Sequence, residues 1–231
     1  MEHKQVLLTG GTGGLGMGVV KVLLSRGAKL TIPYRNTPEV ERLKGIIPAA
    51  EFETIQFVPK DLTDEQAVAQ LVDDMGRVDV LIHLVGGFAM GKTHEFSFAD
   101  WQQQIELNLH TTFLCCKHSL RKMLEGGYGR VVTVSSRAAI EPGGQLASYA
   151  AAKAGVIALT QAIAAETKGT NITANVVVPK VIDTPSNRKA MGEANISNWV
   201  KPESLGEVIA FLASEAAKDV RGAAVPVYGN S

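Results

Sequence analysis

The stretch QVLLTGGTGGLG at residues 5–16 joins an apolar run to a glycine-rich turn, and an apolar helical pattern follows it. Glycine permits a tight turn and lets phosphate oxygens approach the backbone, while the free N–H groups at a helix N-terminus carry partial positive charge. The alternative is a glycine-rich connector that binds nothing. Because this turn lies between the first strand and the first helix of an alternating chain, we predict that it binds phosphate.

Apolar runs and helical patterns alternate along almost the whole chain. The apolar runs predict strands at residues 5–9, 29–34, 52–58, 78–85, 130–135, 172–178 and 223–228. The periodic segments predict helices at residues 15–26, 63–75, 98–124, 148–168 and 203–216, and a further helix that begins at residue 37.

The predicted strands are apolar throughout rather than alternating, which indicates a sheet covered on both faces. Strands separated by helices run parallel, with right-handed crossovers. We therefore predict an α/β fold of the Rossmann type, a doubly wound parallel sheet of about seven strands, in one domain over residues 1–231. Ligands of such a sheet bind beyond the carboxyl ends of its strands.

The longest predicted helix, residues 98–124, has apolar side chains at three- and four-residue steps, which predicts a buried stripe. The stripe consists of Trp101, Ile105, Leu109, Phe113, Cys116, Leu120 and Leu124. Cys115 and Cys116 are adjacent within this helix, so we predict reduced and buried thiols rather than a disulfide.

Composition argues against several classes of partner. Lys and Arg together number 23, as do Asp and Glu, so the net charge is zero and broad attraction to nucleic acid or an anionic membrane is not expected. No apolar run is long enough to span a bilayer and no signal peptide is evident, which predicts a cytoplasmic protein without a membrane partner. The histidines show no metal-ligand spacing, so we expect no metal.

Tyr149 and Lys153 are four residues apart in a helical segment, so their side chains share one face. A phenol is a poor proton donor or acceptor at neutral pH, and a nearby ammonium brings its pKa towards the working range. Alone, a tyrosine followed by a lysine four residues later is usually a pair of surface residues without a catalytic role. Ser136 ends a strand thirteen residues earlier, where such sheets place ligands, although a strand-ending hydroxyl can also serve only the backbone. Ser135 is the weaker candidate of the pair.

This order of serine, tyrosine and lysine, together with the Thr-Gly-x-x-x-Gly-x-Gly turn, resembles the short-chain dehydrogenase/reductase family in its short single-domain branch. The resemblance covers nearly the whole chain. It implies an NAD(P)-binding domain and a catalytic set of Asn108, Ser136, Tyr149 and Lys153, in which Tyr149 exchanges the proton of the substrate oxygen. Lys153 would lower the tyrosine pKa and bind the nicotinamide ribose, Ser136 would position the substrate, and Asn108 would hold a water. A buried asparagine with no catalytic role is the alternative for Asn108.

The resemblance also implies the cofactor contacts. The second strand ends without the carboxylate that usually binds the NAD ribose, and Arg35 can bind a 2′-phosphate, which favours NADP(H). The alternative interpretation of Arg35 is a solvated arginine in a turn. The alternative interpretation of Asp61 is a turn residue that flanks a helix. The predicted contacts are Gly10, Thr12, Gly14, Leu15, Gly16, Arg35, Asp61, Leu62, Gly86, Tyr149, Lys153, Pro179, Ile182 and Thr184.

Two family signatures are altered. His83 replaces the first asparagine after the fourth strand, and we interpret it as a hydrogen-bonded core residue rather than a new base. Lys180 stands where the family has glycine after Pro179, a position that need not suit lysine. The terminal pattern is also changed, at residues 227–230. These departures argue against the best-known subgroups, including the 3-oxoacyl-acyl-carrier-protein reductases.

The sequence thus predicts an NADP(H)-dependent oxidoreductase that acts on a small-molecule carbonyl or alcohol, as a homotetramer or homodimer. A catalytically silent NADP-binding regulator or scaffold is the alternative, and a sugar-nucleotide epimerase lacks room for its larger substrate domain. The substrate would lie among residues 87–96, 137–145 and 183–199. Four cations in or near these segments hint at an anionic group on the substrate, but surface charge explains them equally well: Lys92, Lys180, Arg188 and Lys189.

Overall fold

The computed structural model describes residues 1–230 and contains a parallel sheet in the order β3-β2-β1-β4-β5-β6-β7. The strands are β1 (Gln5–Thr9), β2 (Lys29–Tyr34), β3 (Gln56–Pro59), β4 (Val80–His83), β5 (Gly129–Val134), β6 (Ile172–Pro179) and β7 (Ala224–Val227). The strand order reverses between β1 and β4, the place where such sheets bind ligands. The predicted doubly wound, Rossmann-type α/β fold is confirmed.

Helices cover both faces of the sheet. They are α1 (Gly14–Ser25), α2 (Thr37–Lys44), α3 (Ala49–Phe52), α4 (Glu65–Asp74), α5 (Phe98–Ile105), α6 (Thr111–Gly126), α7 (Ala147–Glu166), α8 (Pro185–Met191) and α9 (Pro202–Leu212). One apolar core lies between the sheet and helices α1, α2 and α9, and a second lies between the opposite face and helices α4, α6 and α7. Strands β4, β5 and β6 are buried along their whole length, as their unbroken apolar runs predict.

The predicted third strand begins too early. Residues 49–52 form the short helix α3, and the strand covers only Gln56–Pro59. Pro48 precedes the helix and fixes a backbone angle that suits helix entry, while Thr54 closes it with a hydroxyl bond to the Glu51 carbonyl at 2.7 Å. Sequence periodicity does not distinguish such a single turn from the start of a strand.

The predicted helix over residues 98–124 is interrupted by a π-helical turn, Glu106–His110, between α5 and α6. This turn rotates the buried face, so part of the predicted stripe is wrong: Phe113 is 48% exposed and Leu124 is 57% exposed. The core side is instead lined by Gln104, Asn108, Thr112, Cys115, Ser119 and Met123. Both cysteines are buried and free, as predicted, and burial raises the pKa of Cys116 to about 12.

Candidate active site

The glycine-rich turn between β1 and α1 is shaped by steric necessity. Gly10 has φ +71°, and a Cβ there would lie 2.9 Å from the Val85 nitrogen. A Cβ on Gly16 would lie 2.3 Å from the Gly10 carbonyl oxygen, so side chains at both positions are excluded. Gly14 faces Thr184 across a gap that a Cβ would fill, at 2.9 Å from the threonine Cβ. The turn is therefore an open backbone cradle at a helix N-terminus, which suits a phosphate group.

Thr12 is buried within this turn, and its hydroxyl donates to Glu39 Oε2 at 2.8 Å. Glu39 lies in the first turn of α2, where it also suits the helix dipole. This carboxylate next to the predicted cofactor turn was not predicted from the sequence. In the sequence, Glu39 is visible only as an acidic residue in the first turn of a predicted helix, and this feature is common in helices of every kind. Leu15, in the first turn of α1, is half-buried and packs on the core.

Beyond the ends of β2 and β3, the structure brings Arg35 and Asp61 close to each other. Hydrogen bonds from the Thr63 backbone and hydroxyl lower the pKa of Asp61, and the charge of Arg35 lowers it further. Both side chains are exposed. Leu62 differs, because its side chain is buried in the core, so only its backbone can face a ligand.

His83 is a buried, hydrogen-bonded core residue, as interpreted from the sequence. Thr111 Oγ1 donates to the Leu107 carbonyl at 2.7 Å, so it accepts a hydrogen bond from His83 Nε2 at 3.3 Å. His83 Nδ1 then accepts from Thr9 Oγ1 at 2.8 Å. Burial, with a smaller effect from the Lys153 charge, lowers the pKa of His83 to about 3, so the ring is neutral at physiological pH. The histidine thus links β1 and β4 to the π turn.

Asn108, Gly86 and Lys153 lie together under the carboxyl end of β4. The Asn108 amide accepts from the Gly87 N–H at 3.2 Å and donates to the Gly87 carbonyl at 3.1 Å. A Cβ on Gly86 would lie 2.7 Å from Asn108 Oδ1 and 2.9 Å from Lys153 Nζ. The Asn108 carbonyl, in the π turn, accepts from Thr112 Oγ1 at 2.6 Å. Asn108 therefore holds the backbone of residues 86–87 against the lysine.

Lys153 Nζ donates to the Val134 carbonyl at 3.0 Å, at the end of β5. Burial lowers the pKa of Lys153 to about 8. The ammonium lies 6.0 Å from the centroid of the Tyr149 ring, which places both residues on the same side of α7, as their spacing predicts.

The phenol of Tyr149 has Ser136 as its polar neighbour. Burial raises the pKa of Tyr149, and a hydrogen bond with Ser136 opposes that shift in part. The expected lowering of this pKa by the lysine is therefore not found in the described structure. Ser135 is excluded from the site, because its hydroxyl donates to the Lys153 carbonyl at 2.7 Å. The Phe88 ring, which sequence reasoning missed, packs edge-on against the Tyr149 ring with centroids 5.1 Å apart.

The remaining predicted residues follow β6, which ends at Pro179. Lys180 is not in the left-handed backbone region, so this position does not require glycine. The Ile182 carbonyl accepts from Asn187 Nδ2 at 2.8 Å, and Thr184 caps α8 by accepting from the Asn187 N–H at 3.2 Å. These bonds hold the segment after β6 over the glycine-rich turn, where Thr184 meets Gly14.

The short chain dehydrogenase family model matches residues 4–195. The chain belongs to this family. This short-chain dehydrogenase is 35% identical to the cis-4-hydroxycyclohexanecarboxylate dehydrogenase of Sinomonas cyclohexanicum, over 98% of this chain and 96% of that protein. It is 29% identical to the D-threitol dehydrogenase of Mycolicibacterium smegmatis, over 99% of this chain and 93% of that protein.

Solved structures agree with this assignment. The structure of ElxO with NADP bound matches at a TM-score of 0.91 and 26% identity, covering 98% of each chain. The protein is thus a short-chain oxidoreductase that acts on hydroxyl or carbonyl groups, with a fold that binds a nicotinamide cofactor. Within residues 1–230, no helix combines the length and the apolarity needed to cross a membrane.

Proposed function

We propose that this short-chain dehydrogenase uses NADP(H) to interconvert a carbonyl and a hydroxyl group on a small molecule. The observation that carries the proposal is the convergence of Tyr149, Ser136 and Lys153 beyond the ends of β4 and β5. Asn108 fixes the backbone beside the lysine, and the open glycine turn lies at the neighbouring strand end. A bound nicotinamide supplies or accepts the hydride.

The residues of the chain handle the proton. Because burial raises the pKa of Tyr149, the phenol is protonated at neutral pH and can donate to a substrate oxygen that accepts hydride. The Ser136 hydroxyl donates to the same oxygen and stabilises its developing charge. Lys153, largely charged below its pKa of about 8, would bind the nicotinamide ribose beside the phenol.

The preference for NADP(H) is supported by charge near the end of β2. Arg35 is exposed there and no carboxylate ends the strand, so a 2′-phosphate would gain a charge-assisted hydrogen bond. The NADP-bound relative ElxO has the same fold. The relatives named above act on a cyclic hydroxy acid and on a polyol, which supports an alcohol or carbonyl substrate.

We also propose a cytoplasmic homotetramer or homodimer. An interface on the outer side of α5, α6 and α7 is supported by two exposed aromatic side chains. Phe98 is 73% exposed and Phe113 is 48% exposed. The small side chains of α7 would permit close helix packing there. Light scattering on the purified protein tests the assembly, and a monomer at micromolar concentration would contradict it.

The decisive experiment measures NADPH and NADH oxidation against a panel of aldehydes and ketones, for the wild type and Tyr149→Phe. We expect turnover with NADPH, and a fall in kcat of about 100-fold or more in the variant, because it lacks the proton donor. Tyr128→Phe is the matched control, since Tyr128 precedes β5 at the opposite end of the strand. Undiminished turnover in Tyr149→Phe would overturn the assigned chemistry, and NADPH binding without turnover would favour the regulator.

A further inference from the structure

The geometry points to a substrate that carries a carboxylate, bound by Lys180, and an apolar portion that packs on Phe88. This inference rests on the proposed function, because it concerns the same site. Lys180 is exposed and directly follows β6, beyond the carboxyl ends of the strands. It stands where the family resemblance led us to expect glycine, and so adds a cation where a glycine would have no side chain.

The pleat of β6 determines which way Lys180 projects. Ala174 belongs to the core on the α4, α6 and α7 face, whereas Val177 belongs to the core on the opposite face. Side chains alternate between faces along a strand, and the Lys180 N–H continues the ladder by donating to the Val227 carbonyl at 3.3 Å. Lys180 therefore projects to the same face as Ala174, the face that carries α7 and, in its first turn, Tyr149.

The register of the sheet places Lys180 next to the predicted catalytic serine. Extending the observed pairing of β5, β6 and β7 by one or two residues puts Ser136 opposite Pro179, and Tyr228 opposite Lys180. The Tyr228 ring lies 5.1 Å from the guanidinium carbon of Arg137, which follows Ser136 directly. In this register the Lys180 backbone lies opposite Arg137 and Tyr228, one position further along the sheet than Ser136.

Charge pairing separates Lys180 from the two arginines near the site. Arg137 is paired with Glu141 at 2.7 Å, and Arg188 with Asp183 at 2.6 Å, so these guanidinium groups are already compensated. Lys180 forms no ion pair with any residue of the described range 1–230. A carboxylate on the substrate would pair with the Lys180 ammonium through a charge-assisted hydrogen bond.

Exposed apolar side chains lie in the three segments that follow β4, β5 and β6. Phe88 and Met90 follow β4, Ile140 follows β5 and Met191 follows β6, and each is at least 50% exposed. Phe88 also contacts the Tyr149 ring. Contiguous exposed apolar surface marks binding sites, and here the apolar side chains follow the strand ends where such sheets bind ligands. Together with one uncompensated lysine, they suit a carbonyl compound with an apolar body and a carboxylate.

The test compares two ketones of nearly the same shape, 4-oxocyclohexanecarboxylate and 4-oxocyclohexanecarboxamide, as substrates with NADPH. For the wild type, we expect a lower KM for the carboxylate. Lys180→Met should raise that KM about tenfold, leave the KM of the carboxamide within twofold, and change kcat little for either. Lys180→Arg should restore most of the difference. Lys189→Met removes an exposed charge from α8 and serves as the matched control.

A second measurement separates this inference from the proposed function. Calorimetric titration with cyclohexanecarboxylate and cyclohexanecarboxamide, in the presence of NADP, reports binding without turnover. Preferential binding of the acid that Lys180→Met abolishes would support the inference even if no ketone is reduced, in which case only the proposed function fails. Equal affinity for acid and amide, or equal effects of Lys180→Met and Lys189→Met, would overturn the inference even in an active enzyme.

Discussion

Two clusters of predicted site residues differ in how they are held. Around Lys153, Asn108 and Gly86, the side chains are packed so closely that one added methyl group has no room. Around Arg35 and Asp61, the side chains are exposed and influence each other mainly through charge. The first cluster is fixed by sterics and buried hydrogen bonds, whereas Arg35 and Asp61 interact through charge that solvent screens. Substitutions should therefore have larger effects in the buried cluster than in the exposed one.

The largest effect is expected from Gly86→Ala. The new Cβ would meet Asn108 Oδ1 and Lys153 Nζ below 3 Å, and overpacking of this kind costs roughly 1–3 kcal/mol. If the lysine moves to relieve it, kcat should fall about tenfold to a hundredfold. Steady-state kinetics with NADPH measures this. Gly126→Ala is the matched control, because its Cβ would meet nothing within 4 Å. Unchanged kcat in Gly86→Ala would show that the packing around Lys153 does not control the reaction.

The second prediction concerns His83 and pH. Its folded pKa of about 3 lies below the ordinary value of 6.5, so only the unfolded chain takes up a proton as pH falls below 6.5. The free energy of unfolding should therefore decline, by roughly 2 kcal/mol between pH 6.5 and pH 5. His83→Gln should abolish most of that decline in urea unfolding experiments, whereas His94→Gln, an exposed control, should keep it. Parallel declines in the wild type and His83→Gln would contradict the burial of this ring.

The amino-acid sequence was sufficient to predict those parts of the molecule whose structure depends on burial. Apolar runs correctly predicted β1 and β2 to the residue, because the interior of each strand is buried. The same logic identified His83 as a core residue, since a histidine inside an apolar run must find its partners there. The catalytic residues came from spacing, and the structure brings Tyr149, Ser136 and Lys153 together, although their roles remain predictions.

What could not be predicted depends on distant contacts or on local backbone irregularity. The π turn at Asn108 leaves no trace in the helical periodicity, yet it decides that Phe113 faces outward. The contact of Thr12 with Glu39 joins residues 27 positions apart, and nothing in either local sequence requires it. The pKa of Tyr149 follows from its burial in the folded chain rather than from its spacing to Lys153.

A smaller effect is expected from Arg35→Ser in the exposed cluster. Loss of the guanidinium should raise the KM for NADPH about tenfold, the size of one partly solvated charge-assisted hydrogen bond, and leave the KM for NADH within twofold. Arg42→Ser removes an exposed arginine from α2 and controls for net charge. If Arg35→Ser affected both cofactors equally, the 2′-phosphate would not be what this arginine recognises.

The smallest effect is expected from Glu39→Gln, which removes a negative charge beside the glycine-rich turn. The amide can still accept the hydrogen bond of Thr12, so the turn should keep its shape while a negative charge is removed. A nearby carboxylate repels a 2′-phosphate, and its removal should lower the KM for NADPH a few-fold without changing that for NADH. Glu41→Gln, on an exposed part of the same helix, is the control. A rise in the KM for NADH instead would show that Glu39 binds the ribose hydroxyls, and the cofactor preference would then be set by this half-buried carboxylate rather than by the exposed Arg35.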